Sequence, residues 1–546
     1  MQVKTAYGEE GLRGNMYLQT LNVDAGFKQD LIRYFAISAV FYVLAGLVSV
    51  GFFHPDQHFQ TLEFAHVKLH PENEDRMVWE YHSRIRPWTQ PYAYMAVVGT
   101  LEAIGISNPF VHDAVIRMAT GAIGMTALVL FCITVAHWLP LAAQKRWLAI
   151  LFGLFWLFPF HNTRTSSETV SSILLLFALS ALVLLRKQPE NDPPPQPELG
   201  PISGPLQFSV PGLVLSAMCL GLMFNVRYQM GFVIVAVALW MLLIQKTPIR
   251  QLALFSIVVL ATVAFGVLLD SIGYGKFELV PWNYLRVNLI EGKAASFGTD
   301  PWYFYILSML IQPVGPVLLV AAFLFWWKYP KNVMTWITVL FVLVHMALSH
   351  KEIRFLIPVF PLILAGLIFV IPEKWFAESK SGNPFLRNKW WLRWAFYFFV
   401  AINFLTLILT SIRPPRPEVS VHRYIQQIAP DHFEFYSLGA TPYLYYQTQP
   451  PRLEFYAPRK VTHHTLVSFA ELDDVLGKES PIYFFHPGNT PPVSAEAEVL
   501  RKNCQMIYQS YGPAWEKWTF GKLPELLKSS RLNTALIYRC ERSSNQ

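Results

Sequence analysis

The chain has 546 residues, of which 53% are hydrophobic and only 15% charged, and its formal net charge is +8. Soluble domains carry about a quarter charged residues, so this composition excludes a soluble globular enzyme and predicts a polytopic membrane protein. The positive charge is gathered in short clusters between apolar runs, which makes it a topology signal and excludes a nucleic-acid footprint.

Residues 1–30 are mixed and polar. They lack the charged start and cleavable apolar stretch of a signal peptide and read as a cytoplasmic segment. Apolar runs near or above the roughly 18 residues of a spanning helix then recur along the chain. They lie near 31–53, 113–138, 146–160, 167–186, 208–225, 230–246, 251–270, 303–327, 332–348, 353–372 and 392–412, which predicts eleven spans. A shorter run, 91–105, begins at Pro91 and carries Glu102, so it reads as re-entrant or interfacial.

With the N-terminus cytoplasmic, alternate loops bring the basic clusters to one side: Lys145–Arg146, Arg186–Lys187, Lys246 with Arg250, Lys328 with Lys331, and the run from Lys374 to Arg393. The Pro-rich stretch 187–207 falls on this side as a cytoplasmic linker. The opposite, trans side receives residues 54–112, the loop 270–302, the turns 161–167, 225–229 and 349–354, and everything after 412. Most of the unusual polar residues are there.

Residues 413–546 change character. Short β-rich runs ("HFEFYSL", "RLEFYA", "PIYFFH", "QMIYQSY", "TALIYRC") alternate with helical stretches near 468–477 and 494–502, which predicts a small α/β domain on the trans side. Cys504 and Cys540 lie in it and would pair if it faces an oxidising compartment. Cys132 and Cys219 fall inside apolar runs and read as packing residues.

Three polar constellations stand out. In "HPDQHFQ" (54–60), Asp56 either caps the helix that follows or does chemistry at the membrane surface, and the two roles are compatible. The histidines His54, His58, His66 and His70 invite a metal reading, but no zinc motif is present and Pro55 breaks the spacing, so no metal site is expected. In "SHKEIR" (349–354), Lys351 and Arg354 flank Glu352 at the start of an apolar run. Snorkelling would explain the two cations, yet their side of the membrane runs against the charge bias, and they suit a phosphate at headgroup depth. Arg227 and Arg164, each in a turn between apolar runs, have the same character.

The blocks "HPDQHFQTLEFAH", "RIRPW", "DSIGYGKFELVPWNYLRVN", "FGTDPWYFY" and "HKEIRFLIPVFPLI" run in order from about residue 54 to 363. They resemble the signature blocks of the glycosyltransferase family 22 membrane mannosyltransferases, closest in pattern to the GPI mannosyltransferase III-like branch. The resemblance implies a GT-C fold and an inverting, metal-independent transfer of mannose from a dolichyl- or undecaprenyl-type phosphate donor. The acceptor would be a glycolipid, a lipid-linked glycan or another trans-side acceptor, and no cofactor is implied. Asp56 aligns with the family's general base. The departing phosphate would fall to Lys351, Arg354 and Arg227, with His54, Gln57, His350, Glu352, Arg164 and Tyr274 in support. One departure is Gln57, where the family pattern has glutamate. A lipid-linked saccharide transporter and a membrane scaffold are the alternatives. No Asn-x-Ser/Thr acceptor occurs in the chain, which favours a bacterial inner membrane with a periplasmic site over an ER membrane with a lumenal one.

Overall fold

The computed structural model describes residues 23–186, 208–312, 314–377, 390–412, 417–444, 452–478, 481–488, 491–492, 498–510 and 535–541. The linker 187–207 and the cations Lys380, Arg387 and Lys389 lie outside the described residues. The principal helices are α1 (Ala25–Leu47), α2 (Thr89–Ala103), α3 (Pro109–Ala136), α4 (Ala142–Leu154), α5 (Ser167–Leu184), α6 (Val210–Val226), α7 (Gly231–Leu243) and α8 (Ile249–Gly273). They continue with α9 (Phe304–Ile311), α10 (Gly315–Lys328), α11 (Val333–Ala347), α12 (Phe360–Val370), α13 (Trp390–Ile412), α14 (Pro417–Ile428), α15 (Phe469–Lys478) and α16 (Glu498–Asn503). The strands are β1 (His432–Ser437), β2 (Lys460–Thr465), β3 (Ile482–Pro487), β4 (Cys504–Gln509) and β5 (Ala535–Cys540).

Among the described residues, six helical stretches are long and apolar enough to cross a membrane: α1, α3, α5, α8, residues 353–370 and residues 393–412; four shorter apolar helices accompany them. Each of the eleven expected runs contains helix, although several are interrupted. The run 303–327 is split into α9 and α10, where the sequence Gln-Pro-Val-Gly-Pro removes two backbone donors. The run 353–372 starts with a 3-10 segment, Ile353–Val359, that contains Pro358. The run 91–105 falls almost wholly within the unbroken helix α2.

The chain divides into two compact units: residues 1–45, 84–90 and 118–411 form the first, and residues 46–83, 91–117 and 412–546 the second. The first is a helical bundle. Its core holds Phe131, Phe152, Leu175, Leu220, Met223, Trp240, Ile337 and Phe341, all buried. Ser166 caps α5, accepting from Thr169 N at 3.1 Å, and Ser209 caps α6 in the same way. Helices α6 and α8 approach so closely that a Cβ at Gly266 would stand 2.2 Å from the Asn225 side chain. Asn225 in turn donates to the Thr262 carbonyl at 2.7 Å. Small residues that let backbones meet are the usual device where lipid supplies no drive to associate. Ile257, Leu260, Phe265 and Leu268 point outward from α8 and Trp394 and Phe398 from α13, as side chains bathed in lipid would.

In the second unit the strands form one sheet in the order β2-β1-β3-β5-β4. β1 runs parallel to both β2 and β3, whereas β5 is antiparallel to β3 and β4. A disulfide joins Cys504 to Cys540 at the end of the β4–β5 ladder. Two apolar clusters line the sheet, one around Leu472, Phe484 and Leu536, the other around Ile425, Phe435 and Phe485. Four of the five expected strands are observed. "RLEFYA" is not one of them: Glu454–Tyr456 make a 3-10 turn whose two aromatics are buried. The edge strand is instead the polar "KVTHHT" of β2, which lacks the apolar alternation that marks a half-buried strand.

Candidate functional site

In the second unit the chain leaves α1 at Leu47 and re-enters helix at Pro55. The cap of this new helix is His54, in extended backbone, and not Asp56 as the capping alternative supposed. Pro55 explains the shift: with no N–H and a fixed φ it fits the first helical position, which puts Asp56 at the second, two places in from the cap. His54 Nδ1 accepts from Asp56 N at 3.3 Å. Gln57 completes a capping box, its Oε1 accepting from Phe53 N at 2.6 Å and from His54 N at 3.4 Å. An amide oxygen serves here as well as a carboxylate, so the Gln57 departure leaves the turn intact. Asp56 retains about a third of its exposure, 29% for the side chain, on the first turn of a helix whose partial positive charge favours a carboxylate.

Behind this turn the helix widens to a π-turn, His58–Leu62, before Glu63–Leu69 resume α geometry. His58 Nε2 lies 2.6 Å from Glu63 Oε1, both side chains buried. The His58 imidazole stacks on Tyr456 at 5.2 Å and on Phe52 at 5.1 Å. Glu63 accepts from Phe455 N through both oxygens, at 3.1 and 3.2 Å. Burial holds His58 down to about 3 and pushes Glu63 well above the carboxylate range. Both shifts disfavour the charged forms, and the contact is a short buried hydrogen bond. Sequence reading singled out the "HPDQ" block and "RLEFYA" separately; the 3-10 turn of the second braces the helix of the first. His66 and His70 pack ring to ring at 4.5 Å.

The first unit gathers a different set. Glu168, in the first turn of α5, is 3% exposed, and its Oε1 accepts from Arg227 Nη1 at 3.0 Å and from Arg354 Nη1 at 2.9 Å. Arg354 also grips Glu352 with two bonds, Nε to Oε2 at 2.7 Å and Nη2 to Oε1 at 2.9 Å. Arg227 donates to Ser167 Oγ at 3.1 Å, and both guanidinium groups lie over the Phe355 ring at 5.3 and 5.1 Å. His350 faces Glu352 Oε1 at 3.3 Å with one nitrogen and the Gly298 carbonyl at 3.1 Å with the other. Lys351 is buried, and its ammonium donates to the carbonyls of Asp300 (2.8 Å) and Leu348. It thereby ties the 270–302 loop to the 349–354 segment. Arg164 is buried with its guanidinium 4.8 Å from the Phe160 ring. Expected residues Arg227, Glu352 and Arg354 thus share one cluster, and sequence reading missed its centre, Glu168. The available signal was a carboxylate in the first turn of an otherwise apolar helix.

A second missed residue is Asp270, at the end of α8. Its Oδ1 accepts from Trp88 N at 2.7 Å and its Oδ2 from Tyr228 Oη at 2.8 Å. Tyr274 donates to the Arg86 carbonyl at 2.9 Å, and a Cβ at Gly273 would stand 2.3 Å from the Trp88 ring. These contacts knot the "RIRPW" block, the start of the 270–302 loop and the residue after Arg227 into one piece. Tyr274 is therefore a brace of this knot.

Residues 32–437 match the model of the Alg9-like mannosyltransferase family. The chain is 25% identical over 426 residues to mannosyltransferase APTG1 of Arabidopsis thaliana, covering 73% of this chain and 71% of that protein. It is 24% identical over 386 residues to GPI alpha-1,2-mannosyltransferase 3 of Homo sapiens, covering 69% of this chain and 61% of that one. A segment of 109 residues is 39% identical to alpha-1,2-mannosyltransferase ALG9 of Saccharomyces cerevisiae, 18% of this chain and 19% of the other. The chain spans just under two thirds of the vertebrate relatives, 64% of the Xenopus laevis protein for example. The crystal structure of ArnT from Cupriavidus metallidurans bound to undecaprenyl phosphate is similar with a TM-score of 0.49 and 11% identity, over 93% of this chain and 97% of that one.

Proposed function

We propose that this chain, which belongs to the Alg9-like mannosyltransferase family, moves a mannosyl residue from a polyprenyl-phosphate donor to a glycolipid hydroxyl with inversion at the anomeric carbon. The acceptor oxygen attacks that carbon and the bond from it to the phosphate oxygen breaks. The acceptor proton passes to the Asp56 carboxylate, and the electron pair leaves on the polyprenyl phosphate. Such a transfer needs one base, and it needs fixed positive charge where the leaving group gains negative charge. Asp56 is the proposed base, and Arg227 and Arg354 receive the phosphate. Lys351 adds charge and holds the neighbouring loop, while His350, Glu352, Arg164 and Tyr274 position these groups. His54 and Gln57 hold the Asp56 turn.

The observation that carries this reading is the pair Arg227 and Arg354 gathered on Glu168, with the buried Lys351 three residues before Arg354, in a multi-pass membrane protein of this family. These cations supply positive charge of the kind a metal ion gives other transferases, so transfer should withstand a chelator. The disulfide between Cys504 and Cys540 supports a C-terminal segment in an oxidising compartment, and with it a periplasmic or lumenal site. Purified full-length protein in nanodiscs, supplied with labelled mannosyl phospho-polyprenol and a membrane lipid extract, tests the proposal. A labelled glycolipid is expected. Failure with both undecaprenyl- and dolichyl-linked donors, or transfer from GDP-mannose instead, would overturn it.

A further inference from the structure

We infer that His345 accepts a hydrogen bond from a hydroxyl of the donor's sugar and so helps select the sugar, an inference that rests on the reading of Arg227 as a phosphate ligand. His345 stands in the last turn of α11 and is 0% exposed. Its Nδ1 lies 2.8 Å from the Phe341 carbonyl. A carbonyl can only accept, so Nδ1 carries the ring proton and Nε2 of the neutral imidazole presents a lone pair. That Nε2 is buried and has no hydrogen-bond partner among the described residues. An acceptor left bare at this depth costs free energy that a bound donor group would recover.

Two more bare atoms belong to the same neighbourhood. The Arg227 side chain is 8% exposed and spends Nη1 on Ser167 and Glu168, while its Nε is buried without a partner among the described residues. The Tyr305 hydroxyl, on α9, is buried close to the Glu352 backbone but outside hydrogen-bond geometry. The His345 ring and the Arg227 guanidinium pack against one aromatic, Phe355, at 6.4 and 5.3 Å from its centre. The Arg227 charge acts on both His345 and Tyr305. Polarity then sorts the three atoms. Arg227 Nε donates and suits a phosphate oxygen. His345 Nε2 accepts, as phosphodiester oxygens do, so it repels that group and needs a hydroxyl or another donor. A sugar phosphate carries hydroxyls on the carbons next to its phosphate-bearing one. Such a hydroxyl can donate to His345 Nε2 and accept from Tyr305 Oη together. A resident water has the same chemistry, and the experiment separates the two.

Full-length protein in nanodiscs is given mannosyl phospho-polyprenol and each of its monodeoxy analogues, and kcat/KM is measured for every donor. Wild type should use one analogue at least about thirtyfold less well than the parent, because a buried acceptor is then left unpaired. His345→Phe keeps a ring and removes the acceptor. It should lower kcat/KM for the parent and shrink that one ratio below about threefold, with the other ratios unchanged. Comparing ratios between proteins cancels the intrinsic reactivity of each analogue. His345→Gln, which returns an acceptor, should restore part of the lost ratio. The melting temperature of His345→Phe should equal or exceed that of wild type, since a bare acceptor is gone. If His345→Phe lowers turnover of parent and analogues alike, the atom holds water or only packs the bundle, and the inference is overturned. Arg227→Ala reports on the phosphate separately and should raise KM for all donors equally. If it leaves KM unchanged, the phosphate reading fails. If it raises KM while His345→Phe changes no ratio, the inference fails alone. Should the His345 variants not fold, wild type decides: one steep loss supports the inference, and an even response within about threefold overturns it.

Discussion

The side-chain oxygen of Gln57 lies 2.6 Å from the backbone nitrogen of Phe53 and closes the turn that presents Asp56. The bond needs an acceptor at position 57 and not a charge. Gln57→Glu should therefore leave transfer within about threefold of wild type, whereas Gln57→Ala should cost about 1 kcal/mol of local stability and lower kcat further, as cap losses do. Steady-state kinetics on the two variants check this. A Glu variant as impaired as the Ala variant would mean that the amide nitrogen matters.

Asp56 donates its own backbone N–H to the cap and keeps its carboxylate partly exposed. Asp56→Asn preserves the turn and removes the base. Transfer should drop by at least about a hundredfold, the lower range for a positioned acid–base group, with an unchanged melting temperature. Near-normal turnover would remove Asp56 from the mechanism.

Burial holds three histidines of the second unit, His58, His66 and His422, down to about 3 from an ordinary 6.5. A depressed histidine contributes stability that is complete above 6.5 and lost as pH falls toward 3, at up to about 1.4 kcal/mol per pH unit for each. Glu63 acts in the opposite sense, because burial raises it above its ordinary 4.5. Above 4.5 the gain from Glu63 offsets part of the histidines' loss, and below 4.5 all three losses act unopposed. Melting temperature should thus fall gently from pH 6.5 and steeply below 4.5. His422→Phe, which removes one titrating group, should flatten the upper part of the curve.

Asp270 accepts from two buried donors, Trp88 N and Tyr228 Oη. Asp270→Ala strands both and should cost about 2 to 4 kcal/mol, whereas Tyr228→Phe deletes one donor together with its need and should cost about 1 kcal/mol. Thermal unfolding of the two variants compares them. Equal costs would show that Asp270 does not hold the knot.

The disulfide spans 36 residues of sequence. Closing a loop of that length restricts the unfolded chain by about 4 kcal/mol in the entropic account. The double substitution C504S/C540S should lower the melting temperature of the protein, and reductant should do the same to wild type and nothing further to the variant.

Much of this was legible in the sequence. Long apolar runs predict helices because a lipid-exposed backbone must satisfy its own hydrogen bonds, and each predicted run contains helix. Four strands were visible because they are short runs rich in aromatic and aliphatic residues. The polar edge strand β2 was not, because Val461 is its one apolar residue against a core cluster and the rest of the strand is polar. "RLEFYA" misled for the opposite reason: its aromatics are buried against His58 and Phe110 instead of across a ladder.

The cations Arg227, Lys351 and Arg354 were recognisable one by one, since charges at the ends of apolar runs are costly and seldom idle. Glu168 and Asp270 were not, because a lone carboxylate at a helix end reads as a cap until its partners are known. Those partners lie 59 and 186 residues from Glu168, and local pattern carries no information over such separations. Residue types and spacing determined the membrane character, the helices and the family. Only the tertiary structure decided which charges meet, because pairing depends on how helices pack and not on where residues stand in the chain.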